Sequence, residues 1–215
     1  MIEQPLLAVA AAALGGAFGL LADRLAARWP AHEDGVRRRG IDWRTAIVVT
    51  AGAALAGGLA LRWSEPRDVL LLALFGAALV VLLATDLDQR LLPDVLTLPL
   101  IGYAAVLLVL DLSPLLAGKE MALLSGVAAG IGAPALLLVS DRLLHGDLGG
   151  GDVKLAAAVG LLAGVTRLFG AFLVASICFA LVLLVLIAFR RVGLRSAVPF
   201  GPVLIGAAGL AMVLP

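Results

Sequence analysis

Two stretches of this 215-residue chain bring carboxylates to the edges of apolar runs. The first reads Thr85-Asp86-Leu87-Asp88-Gln89-Arg90-Leu91-Leu92-Pro93-Asp94 and follows an unbroken apolar segment, LLLALFGAALVVLLA. Asp86 is placed where a helix leaves an apolar environment, a costly position for a carboxylate and a functional one by default. Its plain structural role is an ion pair with Arg90 one turn on, and that of Asp94, behind Pro93, is to start the next helix. The second stretch reads His145-Gly146-Asp147-Leu148-Gly149-Gly150-Gly151-Asp152-Val153-Lys154 and leads into LAAAVGLLAG. Three consecutive glycines let the backbone turn tightly and approach another segment. Asp152 is expected at a helix N-terminus, where an N-cap is the plain reading. A phosphate cradle is disfavoured, because an acidic residue at the helix start repels phosphate and no GK[ST] follows.

Two carboxylates that meet at such a boundary have the chemistry of an aspartyl hydrolase. One, ionised, takes a proton from water; the other, protonated, donates to the carbonyl being attacked. Close carboxylates do not both ionise cheaply, so the pair titrates as a unit. Helix ends suggest the division of labour: the negative end of the helix that Asp86 closes favours its protonated form, and the positive start of the helix that Asp152 opens favours ionisation.

The elements that position these groups are membrane spans. Hydrophobic residues make up 62% of the chain and charged residues 14%, with a mean hydropathy of +1.11, against roughly a quarter charged in an ordinary globular domain. Apolar stretches occur near residues 5–25, 45–61, 68–86, 95–110, 121–139, 153–164, 168–189 and 198–214. In lipid they must be helical, because no water satisfies the backbone. The expected fold is an all-α polytopic membrane protein with about eight transmembrane helices in one bundle. Small residues inside the stretches (AVAAAALGGAFG, TAGAALAGGLA, GVAAGIGA) suit close helix–helix approach.

Basic residues set the orientation. Arg24, Arg28, Arg37, Arg38, Arg39, Arg44, Arg90, Arg142, Lys154, Arg190, Arg191 and Arg195 flank the odd connections, and Arg62, Arg67, Lys119 and Arg167 the even ones. The positive-inside rule makes the odd connections cytoplasmic and puts both termini outside. Both aspartate motifs then lie on the cytoplasmic side. The N-terminus has no basic n-region, so the first helix is expected to stay as an anchor. The basic loop over residues 23–44 reads as a topology determinant on anionic headgroups. Asp23 and Asp141 each precede an arginine and read as local pairs. A net charge of +1 gives no support for a nucleic-acid partner. The one cysteine, Cys178, and the separated His32 and His145 exclude a disulfide and a recognisable metal spacing.

In order, spacing and side, the two motifs make the chain resemble type IV prepilin leader peptidases, GxGD-class intramembrane aspartyl proteases. Gly149-Gly150-Gly151-Asp152 matches GxGD, Lys154-Leu155-Ala156 resembles the continuation, and the segment opened by Asp86 resembles the family's other aspartate signature. Pro199-Phe200-Gly201-Pro202 is similar to a further family segment, and Gly15-Gly16-Ala17-Phe18-Gly19-Leu20 with Asp23-Arg24-Leu25 resembles the first helix and its exit. The resemblance implies that Asp86 and Asp152 are the catalytic pair and that Gly149, Gly151, Lys154, Asp88 and Asp94, with Asp147, support or bind. It implies removal of a short basic leader from prepilins or pseudopilins at the cytoplasmic face of the inner membrane. Neither metal nor organic cofactor is needed for that step.

Residues 1–67 form a reduced N-terminal part and residues 68–215 the peptidase core. The family's two zinc-binding CxxC pairs have no counterpart in residues 23–44, so zinc is not expected. S-adenosylmethionine enters only if N-methylation of the product is retained. The alternatives are a preflagellin-type peptidase, an ion-coupled transporter or a non-catalytic assembly scaffold. The PFGP segment and the helix count favour the prepilin type. A transporter's coupling site belongs at mid-span, where this chain carries no ionisable residue, and a scaffold survives asparagine at both aspartates.

Overall fold

A helix that ends in lipid must hand its free backbone groups to caps, turns or neighbouring segments, and those devices recur along this chain. In a computed structural model, residues 3–30, 40–116, 118, 120–144, 148–189 and 200–214 are described. Among them are seven helices and no strand: α1 (Glu3–Ala26), α2 (Trp43–Arg62), α3 (Pro66–Gln89), α4 (Asp94–Val109), α5 (Ala122–Leu144), α6 (Gly150–Ala188) and α7 (Gly201–Val213). Outside the described residues lie His32, Arg37, Arg38, Arg39, Lys119, His145, Gly146, Asp147, Arg190, Arg191, Arg195 and Pro199, all named above.

The start of α2 is a capping box. The Asp42 carboxylate accepts the Arg44 and Thr45 N–H groups at 3.0 Å each, and Thr45 Oγ1 accepts the Asp42 N–H. Pro66 opens α3, where its missing N–H costs nothing. That helix closes at Arg90, whose left-handed backbone (φ 56°) turns the chain and whose N–H reaches the Asp86 carbonyl at 2.8 Å. Helix α6 is broken at Gly164, with φ 70° and ψ 178°. A side chain there would be strained, and a Cβ would lie 2.7 Å from Ser125 Oγ. The Val165 N–H donates to that same hydroxyl at 3.0 Å.

Five of the helices, α1, α2, α3, α5 and α6, are long and apolar enough to cross a membrane, against the eight expected. The stretches expected at 153–164 and 168–189 are two arms of α6 that meet at Gly164. Those at 95–110 and 198–214 form α4 and α7, which are apolar but only 16 and 13 residues long. Periodicity finds apolar stretches, but length and a one-residue break decide which of them is a full span.

Helix α3 is central, with Leu72, Phe75, Leu79 and Leu82 fully buried. Helices α1 and α2 pack with backbones nearly touching, Gly15 against the Gly52 carbonyl, as their small residues predict. Helices α4 and α7 each pack on both α3 and α6, so they set the spacing between the helix that carries Asp86 and the one that carries Asp152. The second arm of α6 lies on α7, with Ala175 against Val203 and Ala207.

Candidate active site

Asp86 lies in the last turn of α3 and is 6% exposed. Its carboxyl rests on the bare backbone of Gly201, the first residue of α7: a Cβ there would lie 2.6, 2.8 and 2.9 Å from the three carboxyl atoms. No Arg90 ion pair forms with it, although Arg90 is within electrostatic range. The left-handed turn at Arg90 ends the helix there, so the spacing of a regular turn does not apply. Asp86 Oδ2 is buried with no hydrogen-bond partner. The first residue of α7 thus brings a second helix end to Asp86, one that acts on its charge in the sense opposite to the end of α3.

Asp152 is the third residue of α6, not its N-cap. That position is Gly149, whose carbonyl accepts the Asp152 N–H at 3.0 Å. Asp152 Oδ1 is also buried and without a hydrogen-bond partner. The Asp86 and Asp152 carboxyls are within electrostatic range of each other. Two acids from motifs more than sixty residues apart in sequence thus come within electrostatic range, each with a buried oxygen that makes no hydrogen bond.

The glycines are not equivalent. Gly151 sits against the segment that follows Asp86, and a Cβ on it would be 2.6 Å from Leu92 Cβ and 3.0 Å from the Leu92 carbonyl. Gly150 has open space, and a Cβ on Gly149 would make only an ordinary 3.5 Å contact with Asp152 Oδ2. Lys154 and Asp94, expected separately as supporting groups, pair with each other: Lys154 Nζ donates to Asp94 Oδ1 at 2.6 Å. Asp94 is the first residue of α4 and makes no cap hydrogen bond, the cap position being Pro93. This pair and the Gly151–Leu92 contact join the two aspartate-bearing turns. Asp88 is paired with Arg44 at 2.9 Å, which takes it away from the acid pair.

Sequence reasoning missed three features of the site. Gly201 was visible as part of a motif, but its contact with Asp86 was not. Asp23 makes the expected local pair with Arg24 at 3.9 Å, and beyond that it is buried and accepts a hydrogen bond from Thr45 Oγ1 of α2 at 2.9 Å. Asp141 accepts the Leu148 N–H at 2.9 Å, tying the end of α5 to the approach to the glycines. Among the described residues, no three of His, Cys, Asp and Glu gather as a metal-binding group.

The type IV leader peptidase family model matches residues 71–185, a segment that contains both aspartates. The chain is 31% identical over 160 residues to a prepilin leader peptidase/N-methyltransferase of Bacillus subtilis (strain 168), covering 73% of this chain and 60% of that protein. It is 35% identical over 150 residues to the one of Dickeya chrysanthemi, covering 66% and 52%. It is 36% identical over 172 residues to the one of Burkholderia pseudomallei (strain 1026b), covering 78% and 53%. The chain therefore spans little more than half the length of these curated relatives. No solved structure matches it significantly. With a helical, membrane-type chain, a matched segment over more than half of it that contains both aspartates, and relatives above 30% identity over two thirds or more of it, this protein belongs to the type IV leader peptidase family.

Proposed function

We propose that the protein is a membrane-embedded aspartyl endopeptidase that removes the leader of type IV prepilin-like proteins at the cytoplasmic face of the cell membrane. The observation that carries this reading is the pair of buried, unpartnered carboxyl oxygens of Asp86 and Asp152, held in electrostatic range by α3 and α6. Like charges at such range favour one shared proton. The ionised carboxyl takes a proton from water as the oxygen attacks the scissile carbonyl carbon. The protonated one donates to the carbonyl oxygen. Collapse of the tetrahedral intermediate breaks the C–N bond: the leaving amine takes the proton removed from water, and one hydroxyl returns its proton to the carboxylate that donated it, leaving the new carboxylic acid and the original proton state of the pair.

Support for the cytoplasmic face comes from charge. Arg44, Arg90 and Lys154 lie at helix ends on the side of the acid pair, with Arg24 in the last turn of α1, while Arg62 closes the far end of α2 and Arg167, in α6 just past its break at Gly164, donates to the Leu214 carbonyl at the far end of α7 at 3.0 Å. Residues 68–215 act as the peptidase core and residues 1–67 as its N-terminal support. The relatives' names include N-methyltransferase. A cavity of about 520 Å³ between α2, α3, α6 and α7 is lined without a charged or hydroxyl side chain, by residues such as Leu55, Leu79, Val182 and Leu210. S-adenosylmethionine, polar and charged, does not fit that lining, and the proposed hydrolysis runs without it.

The test is cleavage of a co-expressed prepilin by wild type, Asp86→Asn and Asp152→Asn, read as a leader-sized mobility shift, with membrane yield and monodispersity as folding controls. Cleavage by wild type and none by two folded variants is the expected result. Cleavage by either variant sinks the acid-pair assignment. The product mass then reports methylation.

A further inference from the structure

The turn that carries Asp86 is held from outside the matched segment. Arg44, in the first turn of α2, donates from Nη1 to Asp88 Oδ1 at 2.9 Å, and the Asp88 side chain is only 7% exposed. The neighbouring Gln89 donates from Nε2 to the Pro30 carbonyl at 2.9 Å. Two consecutive residues in the last turn of α3 are thus tied to the region between α1 and α2. The anchor is itself built in. The Arg44 guanidinium lies 5.5 Å from the centre of the Trp43 ring, its Nε is buried, and its backbone N–H is capped by Asp42. One residue on, Thr45 reaches the buried Asp23 of α1.

Helix ends fray because their last carbonyls lack partners within the helix. Asp86 sits in such an end, where the loss of one turn would swing its carboxyl off Gly201. Two residues apart on a helix is about 200° of rotation, so Arg44 holds Asp88 on the side away from the reacting group. Its effect on Asp86 passes through the turn.

We propose that Arg44 is a positioning residue for the peptidase reaction, its ion pair with Asp88 fixing the α3 turn that presents Asp86. This rests on the reading of Asp86 as catalytic. It also makes residues 1–67 part of the catalytic apparatus, since Arg44 and Pro30 both precede the matched residues 71–185.

The experiment compares full-length wild type, Arg44→Ala, Arg44→Lys, Asp88→Asn and the exchanged pair Arg44→Asp/Asp88→Arg. It reads prepilin cleavage kinetics and amide hydrogen exchange at residues 86–90. A displaced catalytic group costs on the order of tenfold to a hundredfold in rate. Arg44→Ala and Asp88→Asn should therefore lose about tenfold or more in kcat with KM unchanged, while the exchanged pair recovers most of the loss and Arg44→Lys keeps more than Arg44→Ala. Exchange at 86–90 should quicken in Arg44→Ala. A kcat in the wild-type range overturns the proposal, as does a rise in KM alone, which would make Arg44 a substrate contact. An exchanged pair no better than the single variants overturns it too. If Arg44→Ala does not fold, Arg44→Lys and Asp88→Asn carry the same comparison. If wild type itself cleaves no prepilin, the proposed function falls, and the exchange measurement still decides the clamp: unchanged protection at 86–90 refutes it.

Discussion

Adding one methyl group at Gly201 should cripple the peptidase without unfolding it. The new Cβ would stand 2.6 Å from Asp86 Oδ2, 2.8 Å from its Cγ and 2.9 Å from its Oδ1, whereas ordinary contact begins near 3.4 Å. The carboxyl or the start of α7 must therefore move by about 0.8 Å. A misplacement near 1 Å at a reacting group costs on the order of a hundredfold in rate, or roughly 2.7 kcal/mol of transition-state stabilisation. Gly206→Ala, five residues along the same helix, is the matched control, because a Cβ there meets nothing within 4 Å. The assay is the initial rate of prepilin cleavage in detergent, with thermal unfolding measured in parallel. Gly201→Ala should fall about a hundredfold in kcat with an unfolding temperature close to wild type, and Gly206→Ala should cleave normally. A folded Gly201→Ala that cleaves at the wild-type rate would refute the packing of Asp86 on this helix. Equal losses in both variants would show that α7 tolerates no added bulk, and the argument from Asp86 would fail with it.

The GxGD glycines should separate in the same assay. Gly151→Ala drives into the Leu92 backbone and should lose most activity, whereas Gly150→Ala, in open space, should be close to neutral. Gly164→Ala should lower the unfolding temperature, since a strained backbone of this kind costs about 1–3 kcal/mol and Ser125 stands in the way of the new Cβ. Asp94→Asn or Lys154→Met should slow cleavage only a few-fold. Asp94 is 58% exposed and such pairs contribute about 1 kcal/mol or less; a loss like that of Asp86→Asn would place Lys154 on the reaction path instead.

Much of this protein is legible in one dimension because each clue is local. An apolar run of span length has one solution in lipid, so its helical state follows from composition. Asp86 and Asp152 stand out because carboxylates are rare at the edges of such runs. The number of full spans was less legible, because the two stretches that flank Gly164 are arms of one helix, and because α4 and α7, apolar like the others, are only 16 and 13 residues long.

The sequence by itself determined that the chain is helical and membrane-type, where its acids cluster, and which family it resembles. Only the tertiary structure decided who touches whom. Lys154 meets Asp94 across sixty residues, Arg44 meets Asp88 across forty-four, and Gly201 lies bare against Asp86. None of these follows from spacing, because each depends on the rotation and depth of two helices about axes that the local sequence does not specify. That rotation is set by packing over the whole bundle, through α4 and α7 wedged between α3 and α6 and the glycine contact of α1 with α2. Pairing of distant side chains is a property of that packing, and it appears only when the helices are assembled.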